Sequence, residues 1–172
     1  MERRVRGSIL NSYLDFIKKK WGKDGYELCM NDLGFEENFK NGHYYRDEIR
    51  ENILRWISRE KGIEYCVECG KFIVSNLGIL SWLVRFTDAK TLAKRFPKNF
   101  SEVYAYGNVE VDTDQENVII LRLYDVNRMK ESCKVWLGVC QGATEMTNTV
   151  SEVRKTKCSV DGDEYCEYTI NL

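Results

Sequence analysis

Residues 109–124, VEVDTDQENVIILRLY, mark the point at which the pattern of this chain changes from helical to extended. β-Branched and other apolar residues dominate Val109–Asp112 and Val118–Tyr124, as is typical of strands. The polar run 114–117 between them predicts a turn. The stretch therefore predicts a β-hairpin, and the elements on either side of it define the fold class.

A helix and a second hairpin are predicted after this first hairpin. Over Met129–Thr147, apolar residues recur at helical spacing. Strands are predicted over Val153–Cys158 and Tyr165–Ile170, on either side of an Asp161-Gly162 turn signal. The C-terminal part of the chain is thus predicted to be a ββαββ unit.

The chain before residue 109 is predicted to be helical. Apolar periodicity predicts helices over residues 9–20, 26–33, 47–61, 64–86 and 88–96. Helices followed by antiparallel strands predict an α+β fold, with N-terminal helices packed on the sheet of the C-terminal ββαββ unit. No linker or repeat interrupts the sequence, so residues 1–172 are expected to form a single domain, in which 129–172 carries a cysteine-bearing helix-hairpin subsite.

Composition excludes several classes of function. The 172 residues are 43% hydrophobic and 31% charged, as in globular domains, and the net charge of −1 is unlike that of nucleic-acid-binding proteins. No apolar run reaches the roughly 18 residues of a membrane span, and the N-terminal sequence does not resemble a signal peptide. We expect a cytoplasmic protein with no nucleic-acid partner. No phosphate-binding or dinucleotide motif occurs, so no nucleotide cofactor is expected.

Three of the seven cysteines are predicted to converge. Cys158 and Cys166 lie on opposite arms of the last hairpin, and if 161–163 form its loop they face each other. Cys133 lies on the helix that must pack on the same sheet. Zinc prefers four ligands and binds thiolates well. The spacing alone leaves three interpretations open: a metal site, a Cys158–Cys166 disulfide, or buried core thiols.

The segment from Cys133 to Leu172 resembles the domain named for 4-vinyl reductases, a hydrocarbon-binding family, and the phenol-sensing domains of bacterial activators. The matching residues are Cys133, Gly138, Gly142 and Cys158-x7-Cys166, followed by Glu167-Tyr168-Thr169-Ile170. The resemblance implies that the three cysteines hold a structural zinc. The family's glutamate, three positions before the second cysteine, is replaced by Lys155. Candidates for the fourth ligand are therefore Cys140, Glu152 and a water molecule.

Upstream segments are similar to haem–nitric-oxide-binding domains. These segments are Arg4–Trp21, Glu64–Phe86 and Tyr124–Arg128, the last resembling a Tyr-x-Ser-x-Arg motif that contacts haem propionates, with Val126 in place of serine. The resemblance implies the α+β fold shared with vesicle-tethering subunits, with an apolar pocket between helices and sheet. The residues from Phe96 to Val103 lack the histidine that would ligate iron. On this ground we predict that no haem binds.

These observations favour a non-enzymatic domain that binds or senses a hydrophobic, aromatic or tetrapyrrole-like small molecule. The candidate ligand-binding residues are Trp82, Tyr124, Arg128 and Trp136. One alternative is a component of a 4-vinyl reductase acting on a chlorophyll-type precursor, although no nicotinamide or flavin fingerprint is present. Another is a dimeric interaction subunit without a ligand. A homodimer through the apolar faces of Ser8–Ile17 and Asp47–Ile57 is also expected.

The other cysteines are predicted to be structural. Cys66 and Cys69 lie at i, i+3 on one helix and are interpreted as core residues rather than a redox pair. A second zinc site formed by these two with Cys29 and His43 would need distant segments to meet. His43 itself lies in a polar loop and is expected to be exposed.

Overall fold

The structure is a computed structural model that describes residues 2–76 and 88–172. Its elements in chain order are β1 (Arg4–Arg6), α1 (Gly7–Leu33), β2 (Tyr44–Arg46), α2 (Asp47–Lys61), α3 (Tyr65–Ser75), α4 (Ala89–Val103), β3 (Asn108–Asp112), β4 (Val118–Tyr124), α5 (Lys130–Met146), β5 (Glu152–Lys157), a 3-10 turn (Ser159–Asp161) and β6 (Cys166–Asn171). The predicted Trp82 lies outside the described residues.

The α+β prediction is confirmed. Four strands form an antiparallel sheet in the order β3-β4-β6-β5, and α5 packs on its inner face. Strand β4 alternates between half-buried and fully buried residues, because one face lies on the core and the other faces outward. The buried face of β4 consists of Ile119, Leu121 and Leu123, and that of β6 begins with Cys166. Cys166, the first residue of β6, therefore points towards α5.

The N-terminal part contains a small sheet that the sequence did not predict. β1 and β2 pair antiparallel, and Val5 forms a further bridge to Tyr104 at the end of α4. Each strand has only three residues, too few for alternation to be recognised in the sequence. The two helices predicted over 9–33 are one helix with a kink at Gly22, whose φ of 72° is outside the helical range.

Helix α4 is longer than predicted because it continues through Pro97 to Val103. Proline removes one helical hydrogen bond, which normally ends a helix or costs about 3 kcal/mol. The additional turn places Phe100 in the core, where its ring packs on Trp136 of α5. Burial of these aromatic rings offsets the missing hydrogen bond.

The closest helix pair is α3 against α5, and it sets the position of α5 over the sheet. Gly70 of α3 and Gly138 of α5 lie at the crossing. A Cβ atom on Gly70 would overlap the carbonyl oxygen of Val135, and one on Gly138 would overlap that of Val67. Only glycine permits this backbone approach. The crossing holds the first half of α5, which carries Cys133, in a fixed place.

The last hairpin has the predicted register next to its loop, but not the predicted turn. Lys157 pairs with Glu167, as expected if 161–163 lie in the loop, and the register shifts between Lys155 and Lys157. The Asp161-Gly162 pair does not form a two-residue turn. The chain instead forms a 3-10 turn over Ser159–Asp161, followed by Gly162 with φ of 110°.

The apolar faces proposed for a homodimer are buried within one chain. In α1 the buried residues include Leu10, Tyr13, Leu14 and Ile17, and in α2 they include Ile53, Leu54 and Ile57. These faces form the core of the monomer, so the homodimer prediction rests on the resemblance alone. Among the helices that the structure describes, none has an apolar stretch long enough to cross a bilayer.

Candidate metal centre

Three elements bring three cysteine side chains to one point. Cys133 lies in the first turn of α5, Cys158 follows the end of β5, and Cys166 is the first residue of β6. All three are buried, with 3%, 4% and 0% of their surface exposed. The convergence predicted from the sequence is thus present in the structure.

The spacing of the three sulfur atoms suits one zinc ion. Cys133 Sγ lies 3.8 Å from Cys158 Sγ and 3.9 Å from Cys166 Sγ, and all three sulfurs lie within 4.8 Å of one another. Zn–S bonds of about 2.3 Å at tetrahedral angles separate neighbouring sulfurs by about 3.8 Å. A disulfide would require a separation of about 2.05 Å, and all seven cysteines are free. The geometry is that of a thiol cluster.

Polar groups around Cys166 favour its thiolate form. The backbone N–H of Ser159 donates to Cys166 Sγ at 3.3 Å, and the Ser159 hydroxyl lies 3.2 Å from the same sulfur. Hydrogen bonds from Cys133, from Ser159 and from the Asn127 side chain lower the pKa of Cys166 to about 5. Stabilised thiolates of this kind are the ligands that zinc requires.

The contact with Cys166 has the opposite effect on the pKa of Cys133. Its thiol donates to Cys166, and this hydrogen bond, together with burial, raises the pKa of Cys133 well above the usual range. The hydrogen bond therefore places the thiol proton of Cys133 towards Cys166. A bound cation would displace that proton, because zinc binds the deprotonated form.

Lys155 lies beside the cluster, at the position where the resembling family has its acidic ligand. Partial burial lowers the pKa of Lys155, but a hydrogen bond with Cys158 and neighbouring anionic groups outweigh that effect and raise it. Its Nζ atom is also 3.9 Å from a carboxylate oxygen of Asp161. The side chain thus provides positive charge next to the thiols instead of a fourth anionic ligand.

The structure does not bring the other predicted ligands to this point. Cys140 is seven residues after Cys133 in the same helix, about 10 Å along its axis, and burial raises its pKa to about 12. Glu152 is exposed at the far end of β5, where it pairs with Arg154. Among histidine, cysteine, aspartate and glutamate side chains of residues 2–76 and 88–172, only the three thiols form a metal-compatible group.

The candidate ligand-binding residues within the described part occupy different environments. Trp136 is buried, and its ring packs against those of Phe96, Phe100 and Tyr104 at centroid distances of 5.6, 5.9 and 6.0 Å. Tyr124 lies on the outer face of the sheet, where its hydroxyl donates to Glu110. Arg128 is exposed in a polar groove of about 380 Å³ at the edge of α2.

The remaining cysteines are core residues, in agreement with the sequence-based interpretation. Cys29, Cys66 and Cys69 have no exposed surface, and burial raises the pKa of each thiol, to about 12 for Cys29 and Cys66. His43 is exposed in the loop before β2. The described residues therefore do not assemble the second zinc site that these four could have formed.

Sequence reasoning missed a buried ion pair that joins α2 to α5. Arg50 Nε donates to Asp47 at 2.6 Å, Arg50 Nη2 to the same carboxylate at 3.0 Å, and Arg50 Nη1 to the Ser132 hydroxyl at 3.1 Å. Both charged residues are at most 2% exposed. It also missed Asn127 and Ser159 beside the cysteines. The i,i+3 spacing of Asp47 and Arg50 is visible in the sequence, but their burial and the contacts Arg50–Ser132 and Asn127–Ser159 are not, because they join segments that are distant in the chain.

Comparison with known proteins identifies the fold. No family model matches the sequence, and none of the curated proteins matches it either. Among solved structures, an H-NOX protein from S. oneidensis in its Fe(II)NO state aligns with a TM-score of 0.80 over 97% of this chain and 98% of that one, at 16% identity. The fold is that of the H-NOX domains.

Two further solved structures share this fold with the chain. An oxygen-binding H-NOX domain related to soluble guanylate cyclases aligns over 96% of this chain and 94% of that one, with a TM-score of 0.74 and 12% identity. A structure concerned with heme redox potential and porphyrin distortion aligns over 97% and 99%, with a TM-score of 0.75 and 12% identity. These identities establish the H-NOX fold alone, and none of these matches supports the 4-vinyl reductase assignment.

The prediction that no haem binds is wrong as a conclusion from the sequence. It rested on the absence of one histidine between Phe96 and Val103, whereas solved structures with the same fold are haem proteins. A single ligating residue is a small part of the contact between a domain and a macrocycle, most of which is apolar. In this chain the ring of Trp136 packs on those of Phe96 and Phe100. The only histidine, His43, is exposed and remote from them in the sequence.

Proposed function

We propose that this chain is a small-molecule-binding or sensing domain of H-NOX fold, whose last hairpin is fastened to α5 by a structural zinc ion. Cys133, Cys158 and Cys166 would be its protein thiolate ligands. When bound, the ion supplies a tetrahedral cross-link between three elements that are otherwise joined by the sheet and by apolar contacts.

The observation that carries this proposal is the spacing of the three buried sulfurs. Separations of 3.8 and 3.9 Å are close to those in a tetrahedral zinc–thiolate centre. All three thiols are buried, and three sulfurs that face one point from three different elements can bind a single cation together. Cys166, with its lowered pKa, provides the first thiolate.

Metal analysis of freshly purified protein, with two matched variants, tests the proposal. The native chain should contain about one zinc per chain. Cys158→Ser should lose the metal and several kcal/mol of unfolding free energy, because a structural zinc contributes to folding directly. Cys69→Ser, which alters an equally buried thiol in α3, should retain the full zinc content. Native protein with no zinc and seven reactive thiols would contradict the assignment.

For the small molecule we propose a planar, hydrophobic ligand, with haem and related tetrapyrroles as the first candidates. The support is the H-NOX fold together with the aromatic side chains that α4 and α5 direct at each other. Trp136 would provide apolar contact to this ligand. Tyr124 lies on the outer face of the sheet and Arg128 in the groove at the edge of α2, so neither is assigned a contact with the same ligand. No chemistry beyond binding is required of these residues, so the proposal is of a non-enzymatic domain.

A further inference from the structure

A polar side chain that the motifs do not include lies beside Ser159, which contacts the cysteine cluster. Asn127, in the loop between β4 and α5, is 6% exposed, and its Oδ1 atom has no hydrogen-bond partner. Buried amide oxygens are nearly always paired, since leaving one unpaired costs about 1–3 kcal/mol. This unpaired oxygen therefore requires an explanation.

Contacts on two sides hold Asn127 against the cysteine cluster. Its backbone oxygen accepts from the Ser159 hydroxyl at 3.3 Å, and that hydroxyl also lies 3.2 Å from Cys166 Sγ. Its Nδ2 atom is 3.5 Å from the hydroxyl of Tyr168, which in turn donates to the carbonyl oxygen of Cys133. The residue is thus connected to two of the three proposed ligands.

The amide can present either polar atom to the cluster. A half-turn about its terminal C–C bond exchanges Oδ1 and Nδ2 and leaves the rest of the side chain in place. With the nitrogen towards Cys166, the amide stabilises a thiolate. With the oxygen towards the cluster, it offers a neutral ligand to a cation between the sulfurs, and the amide nitrogen takes the position in which the oxygen has no partner.

Charge balance favours a neutral fourth ligand. A zinc ion with three thiolates has a net charge of −1, and the ammonium group of Lys155 beside Cys158 compensates it. A fourth anionic ligand would leave a net negative charge among groups that are almost completely buried. An amide oxygen leaves the site neutral, and the replacement of the family's glutamate by lysine is consistent with this arrangement.

We infer that the Asn127 side-chain oxygen is the fourth ligand of the metal held by Cys133, Cys158 and Cys166. This inference rests on the proposed zinc site. It assigns a role to a residue outside the cysteine motif and accounts for the unpaired oxygen. It also predicts a closed, four-coordinate structural site, with no position open to an external ligand.

Cobalt substitution distinguishes a closed site from an open one, because the visible spectrum of Co²⁺ depends on its ligands. After Co²⁺ stoichiometry has been measured, imidazole is added as a small external ligand. The native protein should bind one Co²⁺ and show no spectral change with imidazole. Asn127→Ala should bind Co²⁺ roughly 10- to 100-fold more weakly, and its spectrum should change with imidazole.

Two further variants separate ligation from structural support. Ser159→Ala removes a donor to Cys166 without removing the proposed ligand, so it should weaken binding but remain insensitive to imidazole. Asn127→Asp keeps an oxygen at the same position and should also remain insensitive, which preserves the test if Asn127→Ala does not fold.

The outcomes identify which proposal fails. A native Co²⁺ site whose spectrum changes with imidazole, or an Asn127→Ala site that does not respond, would overturn the role of Asn127 while leaving the three-cysteine site intact. If imidazole changed the Co²⁺ spectrum of Ser159→Ala as much as that of Asn127→Ala, the role of Asn127 would be overturned as well. A less rigid metal site, without loss of a ligand, would then be enough to explain the effect. Native protein that binds neither Co²⁺ nor Zn²⁺ would overturn the zinc site itself, and the inference with it.

Discussion

At the scale of single residues, the stability of this chain depends on a few buried charged groups. The Asp47–Arg50 pair is the clearest case, since both side chains are almost fully buried and joined by two hydrogen bonds. Removing one member of such a pair leaves an uncompensated charge in the core. The pair also connects α2 to Ser132, next to the metal-site residue Cys133.

Asp47→Asn tests the contribution of this pair. We expect a loss of about 3–5 kcal/mol in unfolding free energy at neutral pH, because Arg50 would remain buried without a counter-charge. Urea denaturation measures it. The control is Glu48→Gln, which alters an exposed ion pair with Arg46 and should change stability by less than about 1 kcal/mol. An Asp47→Asn protein as stable as the control would contradict this account of the core.

The same residue predicts a pH dependence. Burial raises the pKa of Asp47, but the hydrogen bonds and positive charge of Arg50 outweigh it, so the folded-state pKa lies below the unfolded value of about 3.9. A lowered pKa stabilises the fold above the unfolded pKa, and this contribution disappears as the pH falls through the folded pKa. The stability difference between native protein and Asp47→Asn should therefore persist down to about pH 4 and narrow below it.

At the scale of elements, the crossing of α3 and α5 positions the helix that carries Cys133. The two backbones touch at Gly70 and Gly138, where any side chain would meet a carbonyl oxygen of the other helix. Displacing α5 would also displace Cys133, because that cysteine lies on the same rigid helix. The packing of α3 on α5 therefore determines where Cys133 lies in the proposed metal site.

Gly70→Ala should disrupt this crossing. The new methyl group would overlap the backbone of Val135, which cannot rotate away as a side chain could, so we expect destabilisation of at least about 3 kcal/mol. Thermal unfolding of the variant measures it. Gly42→Ala is the matched control, because a Cβ atom there has no neighbour within 4 Å. Equal melting temperatures for the two variants would show that the helices do not pack as described.

Elements with a strong local pattern could be predicted from the sequence, and those without one could not. The β3–β4 hairpin, α2 and α5 have clear periodicity, and their predicted bounds agree with the structure to within one or two residues. The three-residue strands β1 and β2 have none. The same distinction applies to the site: cysteine spacing indicated the three thiols, whereas the contacts of Asn127 with Ser159 and Tyr168 depend on chain segments 32 and 41 residues away.

At the scale of the whole molecule, two functions are proposed for two regions. The cysteine cluster is proposed to join the end of the chain to α5 through a metal ion, while aromatic residues of α4 and α5 form the surface proposed to contact a ligand. Both regions involve α5, which carries Cys133 and Trp136. A ligand that displaces Trp136 would therefore act on the helix that holds the metal.

Ligand binding is expected to depend on Trp136. With haem as the probe, native mass spectrometry and absorbance titration should show one equivalent bound per chain. Trp136→Ala should weaken binding at least about tenfold, because a buried aromatic contact is removed. Lys94→Ala, an exposed change on α4, should leave affinity unchanged. Failure of haem and other hydrophobic probes to bind would favour the alternative of an interaction subunit without a ligand.

The central claim is that three cysteine sulfurs and one lighter atom surround a zinc ion, and X-ray absorption at the zinc edge of freshly purified protein tests it most directly. The account predicts three Zn–S bonds of about 2.3 Å and one oxygen neighbour at about 2.0–2.2 Å. A first shell of oxygen and nitrogen alone, or protein without zinc, would contradict it.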